Sequence, residues 1–187
     1  MVKAIAARIR STIICVVLVL AVALGRGDPA KTGTYVQLAL PTLALACSAI
    51  NGNGKETLLR FVALEVVVHG SKNLLGEIEL NQRPNGHYKG FPSGHTAAAA
   101  FGASALVNTC IMENPYIKSV VILSAVFVGG TRLVTLNHSL MQVLCGAFIG
   151  WAMQWLFRLP KSLFRLARRR KAARAFRRRQ AELLLPY

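Results

Sequence analysis

Apolar stretches dominate this chain and limit what it can fold into. They recur at about residues 11–25, 35–50, 58–75, 95–112, 117–136 and 139–157. Hydrophobic residues make up 53% of the chain and charged residues only 16%, which excludes disorder and is unusual for a water-soluble domain. A membrane-crossing helix needs about 20 apolar residues, and several of these stretches are slightly shorter. The pattern predicts an all-α fold, a six-transmembrane helical bundle.

Positive charge is concentrated at the C-terminal end. Eleven basic residues and no acidic one lie between Arg158 and Arg179, within a net charge of +16. With six spans both chain ends lie on one side, and basic ends favour the cytoplasm. We therefore predict a six-span membrane domain at residues 1–157 and a basic amphipathic cytoplasmic tail at 158–187. The tail is expected to lie on the anionic membrane surface, and nucleic acid is not an expected partner because aromatic residues are sparse.

The first and fourth stretches have distinct expected roles. Basic residues precede the first stretch as in a signal peptide, but only an uncleaved anchor keeps both basic ends on one side. The fourth is rich in small residues from Ala97 to Ala105, which would let helix backbones approach closely in lipid. We expect it to lie at the centre of the bundle.

The four cysteines carry no metal or redox spacing. Cys15, Cys47, Cys110 and Cys145 are far apart, and each lies in or beside an apolar stretch. A free cysteine in such a place packs as a small hydrophobic residue. We expect four buried thiols and no disulfide.

The informative polar residues lie in or directly beside the segments at about 71–94 and 131–138, which the six-span topology places on the outer side. They are Lys72, Arg83, Lys89, Ser93, His95, Arg132 and His138. Cations and a hydroxyl without a carboxylate cluster are poor ligands for a divalent metal but suit an oxyanion such as phosphate. Two histidines can transfer a phosphoryl group without a cofactor, one as nucleophile and the other as acid.

Three short motifs stand in order in these segments: Arg83-Pro84, Pro92-Ser93-Gly94-His95, and Arg132 followed after five residues by His138. This order and spacing resembles the signature of the type 2 phosphatidic-acid phosphatase superfamily. The resemblance implies a metal-independent membrane lipid phosphatase in which His138 forms a phosphohistidine and His95 protonates the leaving group. It also implies phosphate binding by Lys72, Arg83, Ser93, Gly94 and Arg132.

The chain departs from the family pattern at three positions. Ten residues separate Lys72 from Arg83 where the family has six, and Thr131 replaces a serine. Gln142 stands where the family has the aspartate that orients the nucleophile. Its amide oxygen can still accept a hydrogen bond from His138, so we include Gln142 among the catalytic residues and expect an aspartate there to raise turnover. Glu65 could instead supply the missing charge, or form a buried ion pair.

The resemblance implies hydrolysis of a lipid phosphate or diphosphate at the outer face of a bacterial cytoplasmic membrane. Candidate substrates are undecaprenyl diphosphate, phosphatidylglycerol phosphate, phosphatidate and the phosphates of lipid A. Two alternatives stay open because of Gln142. One is a lipid phosphotransferase with the same intermediate, and the other is a catalytically impaired subunit that only binds lipid phosphate.

Overall fold

The computed structural model of the protein describes residues 2–111 and 114–156. This part of the chain forms six α-helices and one short 3-10 helix, and it contains no β-strand. The helices are α1 (Val2–Leu24), α2 (Pro29–Ile50), α3 (Gly54–Leu74), α4 (Gly94–Thr109), α5 (Pro115–Val134) and α6 (Leu140–Leu156). The all-α prediction is confirmed, and each apolar stretch overlaps one helix. The tail predicted at 158–187 lies outside the described residues.

Polar caps set where α2 and α5 begin. The Asp28 carboxylate accepts hydrogen bonds from the backbone N–H groups of Ala30 (2.8 Å) and Lys31 (3.2 Å), and a proline occupies the first turn. Asn114 and a proline begin α5 in the same way. A capping side chain followed by proline is a strong helix start. α2 therefore begins six residues before the apolar stretch that predicted it.

The central helix of the bundle is α4, which contacts α2, α3, α5 and α6. Its alanines are buried, Ala97, Ala99 and Ala105 completely so. A methyl group on Gly102 would lie 2.5 Å from the backbone of Leu40, so α2 and α4 meet backbone to backbone. Small residues permit this close packing, and the central position predicted for the fourth stretch is confirmed. α1 joins the bundle by packing its buried residues against α2.

The prediction of four thiols is wrong for two cysteines. Cys47, near the end of α2, forms a disulfide with Cys110, at the end of α4, with 6.2 Å between their Cα atoms. The two are 63 residues apart in sequence, and only the packing of α2 on α4 brings them together. Cys15 and Cys145 are free, half-buried thiols. The disulfide lies at the end of the bundle where α2 and α4 finish, called the far end below.

The outer surface of the bundle is apolar. Large hydrophobic side chains along α1, α5 and α6 are more than half exposed, among them Val19, Val126 and Phe148. A water-soluble monomer rarely exposes such extended apolar surface. Within residues 2–111 and 114–156, three segments are long and apolar enough to cross a membrane: Ala7–Leu24, Pro29–Ile50 and Pro115–Val134. These features fit a membrane protein, while α6 is apolar but has only 17 residues.

Candidate active site

Two loops and the start of α4 meet at the end of the bundle opposite the disulfide. One loop, residues 75–93, joins α3 to α4, and the other, residues 135–139, joins α5 to α6. The backbone N–H of Ser93 donates to the carbonyl oxygen of Gln142 at 2.9 Å, which ties the start of α4 to α6. Motif residues that are distant in sequence therefore lie side by side.

Asn81 holds the long loop in place. Its side-chain nitrogen donates to the carbonyl oxygens of Lys72 (2.9 Å) and Gly76 (2.6 Å), and its side-chain oxygen accepts from the N–H of Phe91 (3.0 Å). These bonds join the end of α3 to the segment before α4 and fix the base of the Lys72 side chain. Sequence analysis missed Asn81 because an asparagine in a polar loop is too common to be informative.

Gln142 holds the imidazole of His138. The Nδ1 atom of His138 lies 3.2 Å from Oε1 of Gln142, which also accepts from the N–H of Ser139 at 3.2 Å. Both side chains are buried. An amide oxygen can only accept, so Nδ1 carries the proton and Nε2 keeps its lone pair. That is the tautomer a histidine nucleophile needs.

The side-chain amide nitrogen of Gln142 makes two further hydrogen bonds. It donates to the backbone carbonyl oxygens of Leu80 (3.0 Å) and Gln82 (2.8 Å), immediately before Arg83. Gln142 therefore links His138 to the loop that carries the predicted phosphate-binding arginine. A carboxylate has no proton with which to make these bonds, so the glutamine suits this loop in a way that an aspartate does not.

The start of α4 is arranged to receive an anion. Ser93 is the N-cap residue, but its hydroxyl pairs with the hydroxyl of Thr96 at 2.9 Å and does not cap the helix. The N–H groups of Gly94 and His95 belong to the first turn, where a helix supplies no acceptors and carries partial positive charge. The ammonium of Lys72 lies 3.4 Å from where a methyl group on Gly94 would be.

Two arginines add positive charge to the site. Arg83 donates from Nη2 to the carbonyl oxygen of Lys89 at 3.2 Å, and its buried Nε has no hydrogen-bond partner in the described part of the chain. Arg132 is buried and donates from Nη2 to the carbonyl oxygen of Ala30 at 2.8 Å. A methyl group on Gly33 would lie 2.7 Å from that nitrogen, so only glycine leaves room for the arginine.

The predicted site residues lie together around the start of α4. Lys72, Arg83 and Arg132 are close enough for their charges to act on His95, and so is His138 when it is protonated. Among the described residues, no group of three or more His, Cys, Asp and Glu side chains is placed to hold a metal ion. The site is thus built from cations, imidazoles, a hydroxyl and backbone N–H groups, and the catalytic role of each residue stays a prediction.

Burial makes His138 a neutral imidazole at ordinary pH. Removal from solvent lowers the pKa of His138 to about 4, and the positive charges of Arg83 and Lys72 act in the same direction. The hydrogen bonds to Gln142 and to the backbone of Gly90 oppose this change by favouring the protonated ring. Because the pKa lies well below 7, nearly all molecules carry the ring in its unprotonated, nucleophilic form.

Glu65 does not replace the missing carboxylate. Its side chain pairs with His69 at 3.2 Å, one turn along α3, and the two side chains are 36% and 67% exposed. The predicted buried ion pair is therefore wrong, since the pair lies on the outside of the helix. In the described part of the chain, Glu65 is not among the groups that act on His138, although its charge acts on Lys72.

Residues 10–162 match the family model of the PAP2 superfamily, which covers most of the 187 residues. The chain belongs to the PAP2 superfamily. The match includes every residue of the site, and the resemblance drawn from three motifs is confirmed. No significant match was found among curated proteins or among solved structures. PAP2 superfamily membership supports a phosphatase or phosphotransferase activity, and thus a phosphoric ester hydrolase as the general class.

Proposed function

We propose that the protein is an integral membrane lipid phosphatase that works through a phosphohistidine on His138. The observation that carries the proposal is the neutral imidazole of His138, held by Gln142 with the Nε2 lone pair available. It lies beside a helix start that, with Lys72 and Arg83, is suited to a phosphate group. Nucleophile and anion site together are what phosphoryl transfer requires.

The first half-reaction uses the two histidines in opposite roles. Nε2 of His138 attacks phosphorus, the bond from phosphorus to the lipid oxygen breaks, and His95 donates a proton to that oxygen. A water molecule then attacks the phosphohistidine and gives its proton to His95. Inorganic phosphate leaves, His138 is neutral again and His95 is protonated for the next cycle, with the negative charge of the incoming phosphate offsetting the cations around His95. Lys72, Arg83, Arg132 and the first N–H groups of α4 stabilise the charge on the phosphoryl oxygens throughout.

The proposal places the site on the outer face of a bacterial cytoplasmic membrane. α1, α2 and α5 have the length and apolar character of spans, and we propose that α3, α4 and α6 span with them, giving six. The far end then faces the cytoplasm together with Lys55, Lys118 and the basic tail, as the positive-inside tendency favours. The tail would rest on anionic lipid.

Activity is tested with purified protein in detergent and EDTA, against phosphatidate, phosphatidylglycerol phosphate, undecaprenyl diphosphate and a lipid A phosphate. Release of inorganic phosphate from at least one of them is the expected result. Transfer to an added lipid alcohol without release would favour the phosphotransferase. Tight binding with neither reaction would favour a subunit that only binds lipid phosphate.

Orientation gives a separate prediction. A reporter fused after Tyr187 should be cytoplasmic, and one inserted near Gly86 should be external. The disulfide between Cys47 and Cys110 then lies at the cytoplasmic end, where thiols are usually kept reduced, so it counts against this orientation. A cytoplasmic reporter near Gly86 would reverse the orientation, and an external C-terminus would contradict six spans.

A further inference from the structure

A long apolar groove runs between α5 and α6, with α4 as its floor. Its volume is about 690 Å³, within the range of small-molecule sites. Among the described residues that line it, none is charged, and the polar ones are two hydroxyl residues and one asparagine. Nothing in the motifs predicted this groove.

Small residues create the space. Gly130 on α5, Ala103 on α4 and Ala147 on α6 all line the groove, each where a larger side chain would fill it. A methyl group on Gly130 would have no neighbour within 4 Å among the described residues. Because these three residues are small, their side chains leave the space between α5 and α6 unfilled.

One end of the groove lies beside the active site. Thr96 lines it there, and the Thr96 hydroxyl is 2.9 Å from the hydroxyl of Ser93. Leu140, two residues after His138, lines the same end. From Thr96 to Asn108 the groove follows twelve residues of α4, which is about 18 Å of helix. That is about the depth of one leaflet of a bilayer whose hydrocarbon core is about 30 Å thick.

We propose that this groove binds one hydrocarbon chain of the lipid phosphate while its headgroup occupies the site. The inference rests on the proposed function and identifies the hydrocarbon chain as a part of the substrate that the protein recognises. An uncharged channel of this length, ending beside the phosphate site, fits an extended chain that stays in apolar surroundings up to its headgroup. A lipid tail is already in an apolar medium, so the groove contributes through close packing.

The depth of a blocking side chain should set which substrates are affected. Gly130 lies four residues before the end of α5, about 6 Å from the site end, and Ala147 lies seven residues into α6, about 10 Å from it. Gly130→Leu should therefore exclude medium and long chains. Ala147→Leu should exclude only long chains.

The test uses butyl, heptyl and hexadecyl phosphate at a fixed mole fraction in detergent. For Gly130→Leu we expect kcat/KM to fall about tenfold or more for heptyl and hexadecyl phosphate, the scale that overfilling a packed apolar site produces. Butyl phosphate, too short to reach position 130, should be hydrolysed as by wild type. Ala147→Leu should lose activity on hexadecyl phosphate alone. The matched control is Gly70→Leu, another helix glycine with open space around it among the described residues.

A second measurement does not depend on turnover. Hexadecyl phosphate carrying a photoreactive diazirine near the middle of its chain should crosslink to α4 and α6 around Ser104 and Ala147, and Gly130→Leu should reduce that labelling. Crosslinking only to outward residues such as Leu123 would overturn the proposal. So would an equal loss on all three phosphates together with a change in oligomeric state, which would make the groove an interface between copies. Absence of hydrolysis by wild type with groove labelling intact would instead contradict the phosphatase function.

Discussion

His138→Ala is expected to abolish hydrolysis of lipid phosphates, with turnover falling by at least about 10⁴-fold. Removing a nucleophile removes the covalent intermediate, and the remaining anion site can only bind the substrate. Initial rates of phosphate release from the best substrate of the panel measure the loss. Wild-type protein quenched during turnover should carry phosphate that is labile in acid and stable in base, and His138→Ala should carry none.

His87→Ala is the matched control, because His87 lies exposed in the loop between α3 and α4 and outside the proposed chemistry. It should keep wild-type turnover.

His95→Ala separates the two histidine roles. It should hydrolyse alkyl phosphates poorly, yet form the phosphoenzyme from p-nitrophenyl phosphate, whose leaving group needs no acid. Undiminished turnover by His138→Ala would show that another group attacks phosphorus.

The sequence predicted the number of helices because an apolar stretch is a local signal. It placed helix starts less well, since α2 begins at a proline behind the capping Asp28, outside the apolar stretch that marked it. It failed on Cys47 and Cys110 because a disulfide depends on which helices become neighbours, and no local pattern encodes that. Glu65 and His69 share a helix face, as their spacing implies, but which face points outward was decided by packing.

The candidate site shows the same contrast between local features, which the sequence predicted, and long-range contacts, which it did not. Motif spacing identified the residues that the structure gathers at the start of α4, including Lys72, whose extra distance from Arg83 is taken up by a loop tied down at Asn81. The role of Asn81, the carbonyl partners of Gln142 and the groove were beyond prediction. Each depends on backbone atoms or empty space supplied by segments distant in sequence.

Those carbonyl partners reverse the expectation for position 142. From the sequence, an aspartate there should raise turnover by stabilising the imidazolium of His138. In the structure, Gln142 also donates to the carbonyl oxygens of Leu80 and Gln82, and an aspartate is shorter and has no proton to donate. Gln142→Asp should therefore lower kcat/KM, by about 100-fold, because two buried carbonyls lose their donors and the loop before Arg83 loses its anchor.

Gln142→Met, which keeps the size and removes every hydrogen bond of the amide, should lower turnover by about 10³-fold. That is somewhat less than the loss of about 10⁴ seen when a protease histidine is left in the wrong tautomer. Gln154→Met is the matched control, since Gln154 is equally buried on the same helix at the far end. Both variants should lose stability, but only Gln142→Met should lose turnover per folded molecule.

The pH profile separates a positioning role from a structural one. In free wild-type enzyme, protonation of His138 should not lower kcat/KM until the pH falls to about 4, because the ring stays neutral above its pKa. The hydrogen bond that His138 donates to Gln142 raises that pKa, so Gln142→Met should move the His138 limb of the profile to lower pH. An ionised carboxylate in Gln142→Glu would favour the imidazolium more strongly and should move the limb to higher pH. Unchanged profiles in both variants, or full activity of Gln142→Met, would show that His138 is oriented without Gln142 and that the departure from the family aspartate has no catalytic consequence.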